Sequence, residues 1–323
     1  MARLLMLFLV LTLAAGCDSD GTNPFDRDDP ADPGDPDGET PSGDIPETLA
    51  GDVTRVRYDP ADNTIVVEGL TLDATPFEAV YSRAPALEAN VPGYRVYTAQ
   101  DDALDRHSTA FAAQSNNSGA VRAGVTVTGG PRNRFFGGTY YERDGGFRPP
   151  AGGLVTYTGR YAGLTNVGGS GEDLIPVPGG TNPELIPDQA AEVTGGVVMT
   201  ADFSDNSIEG NIVNRSLEGT PLPSLVLVRT DIAANGTFFG NVEFDSRHPD
   251  SGDNPVGNDI GDYGGIIGGP DGDGLAGSIT LSEFDGLGDQ LGFENEEEYG
   301  IFVLDRCGTP GAADPLGLCA SVN

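Results

Sequence analysis

Residues 153–163 read GLVTYTGRYAG, and the fold turns on how that stretch is read. Val155, Tyr157, Gly159 and Tyr161 fall on one face of an extended chain, and Thr156, Thr158 and Arg160 fall on the other. Successive side chains of a strand point to opposite faces, so this alternation describes a strand with one buried side. The same period recurs downstream. Eight candidate strands follow one another at 154–161, 193–203, 207–213, 224–230, 236–244, 262–268, 275–282 and 299–305. In the fifth, Phe238, Gly240, Val242 and Phe244 line one face; in the seventh, Gly277, Ile279 and Leu281 alternate with Ser278 and Thr280. No helix-length apolar period interrupts them. Eight antiparallel strands lose their sticky edges most simply by closing on themselves, and a barrel of that size has an interior that side chains just fill. Glycines recur inside the strands, at positions such as Gly159, Gly210, Gly240, Gly265 and Gly277, where they permit coiling and close packing beside aromatic rings. A two-sheet sandwich uses the same alternation and is the alternative. The expectation is therefore a mainly all-β chain, with an antiparallel eight-stranded β-barrel over residues 151–306 and a C-terminal tail over 307–323.

Upstream, residues 52–150 predict a smaller, mostly β domain. VTRVRYDPADNTIVVEGLTL (53–72) reads as strand, turn at 59–63, and strand. FEAVYS and YRVYTA are further short strands, and AVRAGVTVTGG and RFFGGTYYER follow in the same manner. DALDRHSTAFAAQS (102–115) is different: Leu104, His107, Ala110 and Phe111 fall on one face at helical spacing, which predicts one short helix.

The order of these elements resembles a known family. GLVTYTGRYAG is similar to the Gly-x-x-x-Tyr-x-Gly-x-x-x-Gly strand that opens the barrel of transferrin-binding protein B-like surface lipoproteins. GGVVMTADFSDNSIEGNI (195–212), TFFGNVEF (237–244) and GDYGGIIGGPDGDGLAGSI (261–279) resemble its later elements, in order and spacing, over about half of the chain. The family has an aromatic pair before the Gly-Pro of the last of these, whereas Ile266, Ile267 and Gly268 stand here, so the chain looks like a divergent, single-lobe member. The resemblance implies a β "handle" over 52–150 joined to the barrel. It also implies a surface protein that captures a protein or solute ligand through handle and barrel loops, with an outer-membrane receptor or export partner as a further contact.

The N-terminus carries an address. The apolar run Leu4–Gly16 is 13 residues long, too short to span a bilayer, which takes about 20. Arg3 precedes it and Ala14, Ala15 and Gly16 close it, the pattern of a secretory signal peptide over residues 1–16. Ala14-Ala15-Gly16-Cys17 further resembles a bacterial lipobox, which makes Cys17 the expected lipidation site and the membrane a partner through its acyl chains. A plain signal peptide with an incidental cysteine is the other reading. Residues 17–51 are rich in Asp and Pro and can bury almost nothing; they predict a disordered acidic tether. An outer-membrane lipoprotein, facing the surface or the periplasm, is the expected location. Export exposes Cys307 and Cys319 to an oxidising compartment, so these two are expected to pair.

Charge and composition narrow the chemistry. The net charge is −33, and every one of the 17 basic residues is arginine. Phosphate backbones need a basic surface, so nucleic acid is not an expected partner. Catalytic signals are sparse. Of the two histidines, His107 is adjacent to Ser108 without a pairing geometry, and His248 lies in a polar loop. No phosphate-binding glycine loop, Gly-x-Ser-x-Gly or His-Glu-x-x-His occurs. Asp271 and Asp273 in PDGDG read as a hairpin turn rather than a cation site. Neither a catalytic residue nor a cofactor nor a metal is expected, although loop carboxylates keep a hydrolase as a rival, beside a structural lipoprotein with no external ligand.

Binding has two candidate surfaces. PRNRFFGGTYYERDGGFR (131–148) interleaves Arg132, Arg134, Arg143 and Arg148 with Phe135, Phe136, Tyr140, Tyr141 and Phe147, and arginine and tyrosine are enriched at interface hot spots. The competing reading turns the alternate aromatics inward and pairs the arginines with acids of the barrel. Residues 162–192 form the other candidate, a long loop bearing Leu174, Ile175, Val177, Leu185 and Ile186 that would cover the barrel mouth or pack on the handle.

Overall fold

The computed structural model describes residues 45–59, 64–70, 76–129, 135–245, 259–284, 291 and 295–321. Cys17, the signal segment, most of the acidic segment, Arg132, Arg134 and His248 lie outside them.

Among the described residues sixteen strands form two sheets. The handle holds β1 (Val53–Asp59), β2 (Thr64–Leu70), β3 (Pro76–Arg83), β4 (Arg95–Ala99), β5 (His107–Gln114), β6 (Val121–Gly129) and β7 (Phe136–Arg143), ordered as they come in the chain. The barrel holds β8 (Leu154–Gly168), β9 (Ala190–Asp202), β10 (Ser207–Leu217), the two-residue β11 (Thr220–Pro221), β12 (Leu225–Asp231), β13 (Thr237–Phe244), β14 (Asp259–Gly268), β15 (Gly274–Ser282) and β16 (Glu297–Arg306). Closure is explicit in the pairing. β16 pairs with β8, β8 with β9, and β9 with β10, which also pairs with β12, so eight antiparallel strands form a ring with no free edge. The eight strands expected from alternation are all present, several longer than expected, and the sandwich is excluded.

The barrel interior is filled by side chains, including Val155, Tyr157, Met199, Ile212, Leu227, Phe238, Val242, Tyr263, Ile279 and Phe302, all nearly inaccessible to solvent. Two of its glycines are required by these rings. Gly240 is the register partner of Tyr263, and Gly265 that of Phe238. A Cβ at Gly240 would lie 2.7 Å from the Tyr263 ring, and one at Gly265 would lie 2.5 Å from the Phe238 ring. Each ring therefore lies across a glycine of the neighbouring strand, which lets the barrel curl tightly without voids. At one end the lumen also holds charge. Arg215 and Glu298 are completely buried and paired at 2.6 Å; the Tyr161 hydroxyl donates to the other oxygen of Glu298, and Arg215 donates to the Pro223 carbonyl at 3.1 Å.

Handle and barrel share a core. Leu49, Val96, Phe111, Val121, Val125 and Tyr141 from the handle side pack with Ala162, Leu164, Ile266, Ala276 and Ile301 on the outer wall of the barrel. A second handle core, with Val56, Ile65, Val67, Tyr97, Ala110 and Tyr140, lies on the far side of the same sheet. Two expectations are corrected here. The segment 102–115 forms no helix; its second half is β5. Ala110 and Ala112 face one core and Phe111 and Ala113 the other, so the strand is apolar on both faces and carries no two-residue alternation. Its pairing to β4 and β6 decides its state. The helix is instead α1 (Glu47–Ala50), inside the stretch expected to be tether, where Leu49 is fully buried and its carbonyl accepts from Thr139 Oγ1 at 2.8 Å. The packed chain thus begins before residue 52.

The C-terminal tail is fastened. Cys307 and Cys319 are disulfide-bonded as expected, and Asp305 accepts hydrogen bonds from the backbone of Asn116 and of Ala313.

Candidate functional site

The arginine–aromatic stretch divides between core and surface. Tyr140 and Tyr141 point to the two opposite cores of the handle and are almost fully buried; burial pushes the Tyr141 phenol well up. Arg143 is buried as well and bridges handle to barrel, donating from Nη1 to the carbonyls of Asn235 and Ile267, both at 2.8 Å, and from Nε to that of Gly145 at 2.9 Å. Phe135 is half-buried and stacks on Tyr299 with ring centroids 5.6 Å apart. Phe136 is half-buried with the Arg106 guanidinium 4.8 Å from its ring centre. Arg148 is exposed. The structure therefore does not gather the described residues of this stretch on one face: Tyr140, Tyr141 and Arg143 hold the fold, and Phe135, Phe136 and Arg148 reach solvent in part or whole.

The long loop after β8 is shorter than expected, 169–189, because both flanking strands extend into it. It leans on the handle through polar contacts. Asp173 Oδ2 lies 3.2 Å from Nε2 of His107, the backbone N–H of Ile175 donates to Gln100 at 2.8 Å, and that of Asp173 donates to Gln189 at 3.0 Å. Ile175 and Leu185 are exposed rather than packed. His107, fully buried in β5, has its pKa lowered by burial against the opposing pull of Asp173.

Where this loop meets the handle, a cleft of about 340 Å³ opens at the seam. Its walls come from three places. The handle supplies Asn90, which ends the short 3-10 turn Leu87–Ala89. The barrel supplies Glu192 and Thr194 from β9, and Glu218 and Gly219 from the turn between β10 and β11. The loop supplies Ser170 and Glu172. Glu192 sits between Ala191 and Val193, whose side chains fill the barrel, so strand alternation aims it outward, under the handle turn. It is only 6% exposed, and its Oε1 has no hydrogen-bond partner. Burial is the first cause that raises its pKa to about 7; Glu218 and Glu172 add to this, and a contact from Asn90 opposes it. Glu218 is held in place, since its backbone is left-handed at φ 44° and its Oε1 accepts from the Ser170 N–H at 3.1 Å. Among the described residues no basic side chain lines the cleft.

Nothing in the sequence singled out Glu192. Its available signal was an acid between two inward apolar residues, which on an ordinary barrel is a solvated outer position. Among the described residues no group of three or more His, Cys, Asp or Glu side chains is arranged to hold a metal ion. Asp271 and Gly272 lie in the hairpin turn between β14 and β15, and Asp273 accepts from Ser118 at 2.9 Å.

No protein-family model matches the chain, and no curated protein matches it. Among solved structures, a double mutant of the vaccine antigen transferrin binding protein B from Haemophilus parasuis Hp5 is 11% identical with a TM-score of 0.39, over 79% of this chain and 44% of that one. A single mutant of the same antigen is 12% identical with a TM-score of 0.36, over 77% and 52%. Isotype 1 transferrin binding protein B from serogroup B Neisseria meningitidis is 13% identical with a TM-score of 0.33, over 77% and 50%. The chain thus spans about half the length of these structures. The architecture described above rests on the strand pairing itself.

Proposed function

We propose that this chain is a lipid-anchored, non-enzymatic binding protein of the bacterial cell envelope, which recognises a protein or solute ligand through its handle and barrel loops. The observation that carries this reading is the convergence at the seam. A handle turn, a long barrel loop and a barrel hairpin turn, supplied by distant parts of the sequence, share one rim around a cleft that contains a buried acid with one unsatisfied oxygen. Loops placed by a rigid β scaffold are where binding residues concentrate. The lipobox-like run ending at Cys17 supports an anchor, and the sequence resemblance to transferrin-binding protein B-like lipoproteins points to the same role.

Two measurements test it. Replacing Cys17→Ser should move the protein from the membrane to the soluble fraction, and continued membrane retention would refute acylation. The immobilised chain should retain a component of growth medium or host serum reproducibly and saturably. Failure to retain anything from either source favours a structural lipoprotein without an external ligand.

A further inference from the structure

We propose that the seam cleft binds an organic cation with several N–H donors, an alkylammonium or a guanidinium group. This names the ligand chemistry of the binding reading above and rests on it. The buried Oε1 of Glu192 lacks a partner, and a carboxylate oxygen in that position demands a donor. Glu172 and Glu218 stand close enough to Glu192 to disfavour its ionisation, and no positive side chain in the lining offsets the three acids. An anion is therefore excluded, and a neutral ligand would leave the charge unmatched. A bare metal ion fits poorly as well, because the three carboxylates do not form a coordinating group. The cleft, at about 340 Å³, has room for a side-chain-sized cation. Ser170 and Thr194 hydroxyls and the Asn90 carboxamide add acceptors around the carboxylates, which suits a cation with more than one N–H.

Glu192 must be ionised to hold such a group. With its pKa near 7, ionised Glu192 makes up about nine-tenths of the population at pH 8 and about one-tenth at pH 6, so affinity should fall about tenfold between them. The cation source is either a free amine or a basic side chain of a partner protein.

The test is calorimetric titration of the full chain with agmatine, which carries both cationic groups, at about 150 mM salt, where diffuse attraction to the acidic surface is screened beyond about 8 Å. A single saturable site is expected. It should weaken about tenfold from pH 8 to pH 6, and Glu192→Gln should weaken it at least tenfold at pH 8. Should that variant not fold, the exposed pair Glu172→Gln with Glu218→Gln should still weaken binding several-fold. A blocked tripeptide with a central arginine distinguishes the sources: tighter binding than agmatine assigns the cleft to a partner's side chain, and weaker binding assigns it to a free amine; either supports the proposal. Lack of a saturable heat at millimolar agmatine, binding unchanged by Glu192→Gln, or tighter binding of calcium chloride than of agmatine overturns it. Capture of a serum or medium component by a chain that takes no agmatine would reject the cleft and leave the general binding reading standing. Agmatine binding without any such capture would do the reverse.

Discussion

Glu192→Gln offers a test of the cleft that needs no ligand. The acid is 6% exposed and its pKa rises from 4.5 to about 7 in the folded chain. A carboxyl with a raised folded-state pKa contributes its stability while protonated; that contribution is present below the unfolded value and is lost as pH rises through the folded value. That rise corresponds to about 3 kcal/mol at full ionisation. At pH 8 nearly all of that, about 3 kcal/mol, weighs against the folded state, whereas at pH 5 the figure is about 1 kcal/mol. Glutamine has nearly the same shape and stays neutral. The variant should therefore exceed the parent in stability by about 3 kcal/mol at pH 8, with most of the advantage gone at pH 5. At roughly 2 °C per kcal/mol for a chain of this size, the melting temperatures should differ by about 6 °C at pH 8. Far-ultraviolet dichroism, or tyrosine emission in a chain with 10 Tyr and no Trp, follows the transition. A variant no more stable than the parent at pH 8, or an advantage independent of pH, would refute a buried, charge-strained Glu192.

Other perturbations have expected outcomes. Arg215→Ala should cost about 3–5 kcal/mol, because it strands the fully buried Glu298 without its partner; denaturant unfolding measures this, and a loss under 1 kcal/mol would show that the pair is not desolvated. Gly265→Val should destabilise by about 1–3 kcal/mol in the same assay, since its Cβ would meet both the Phe238 ring and the Ala276 carbonyl at 2.5 Å. For His107 the folded pKa lies below the ordinary 6.5, so its neutral form is favoured; the stability it contributes is complete above 6.5 and lost as pH falls further. His107→Gln should flatten the acid limb of the stability profile, and an unaltered limb would remove His107 from its causes.

The legibility of the sequence followed solvent. Barrel strands such as β12 and β13 keep one wetter face along much of their length, so buried and exposed positions alternate and the strands could be found by period alone. β5 is covered on both faces, by the inner handle core on one side and the barrel wall on the other, and that erased the alternation. What remained, Leu104, His107, Ala110 and Phe111, mimicked a helical stripe. Leu49 was hidden for a related reason: a single apolar residue at the end of an acidic run gives no periodic signal, yet it plugs the joint between handle and barrel. In the arginine–aromatic stretch, composition suggested a surface, but β7 also lies between two cores, so Tyr140 and Tyr141 are both drawn inward. The carboxylates of the cleft were unreadable because they meet only through the third dimension, from residues 172, 192 and 218 and a handle turn at 90.

The seam explains why such a cleft can exist at all. A buried acid with one unsatisfied oxygen is tolerated only where the surroundings prevent it from swinging out to water. Here the handle supplies that restraint. Its sheet is fixed to the barrel wall by a shared apolar core, by the Arg143 guanidinium on two barrel-side carbonyls, and by Tyr94, whose hydroxyl lies 2.7 Å from the Arg160 carbonyl. The turn that bears Asn90 is thereby held over Glu192 without a hinge. The energetic cost of ionising Glu192 is thus stored in a preformed geometry, and a cation entering the cleft offsets it directly. Linkage gives the consequence: the ligand should remove the pH-dependent loss of stability along with the strain, so a saturating cation should bring the melting temperature of the parent at pH 8 toward that of Glu192→Gln. A cation that binds without raising the melting temperature would show that Glu192 is not the group it satisfies.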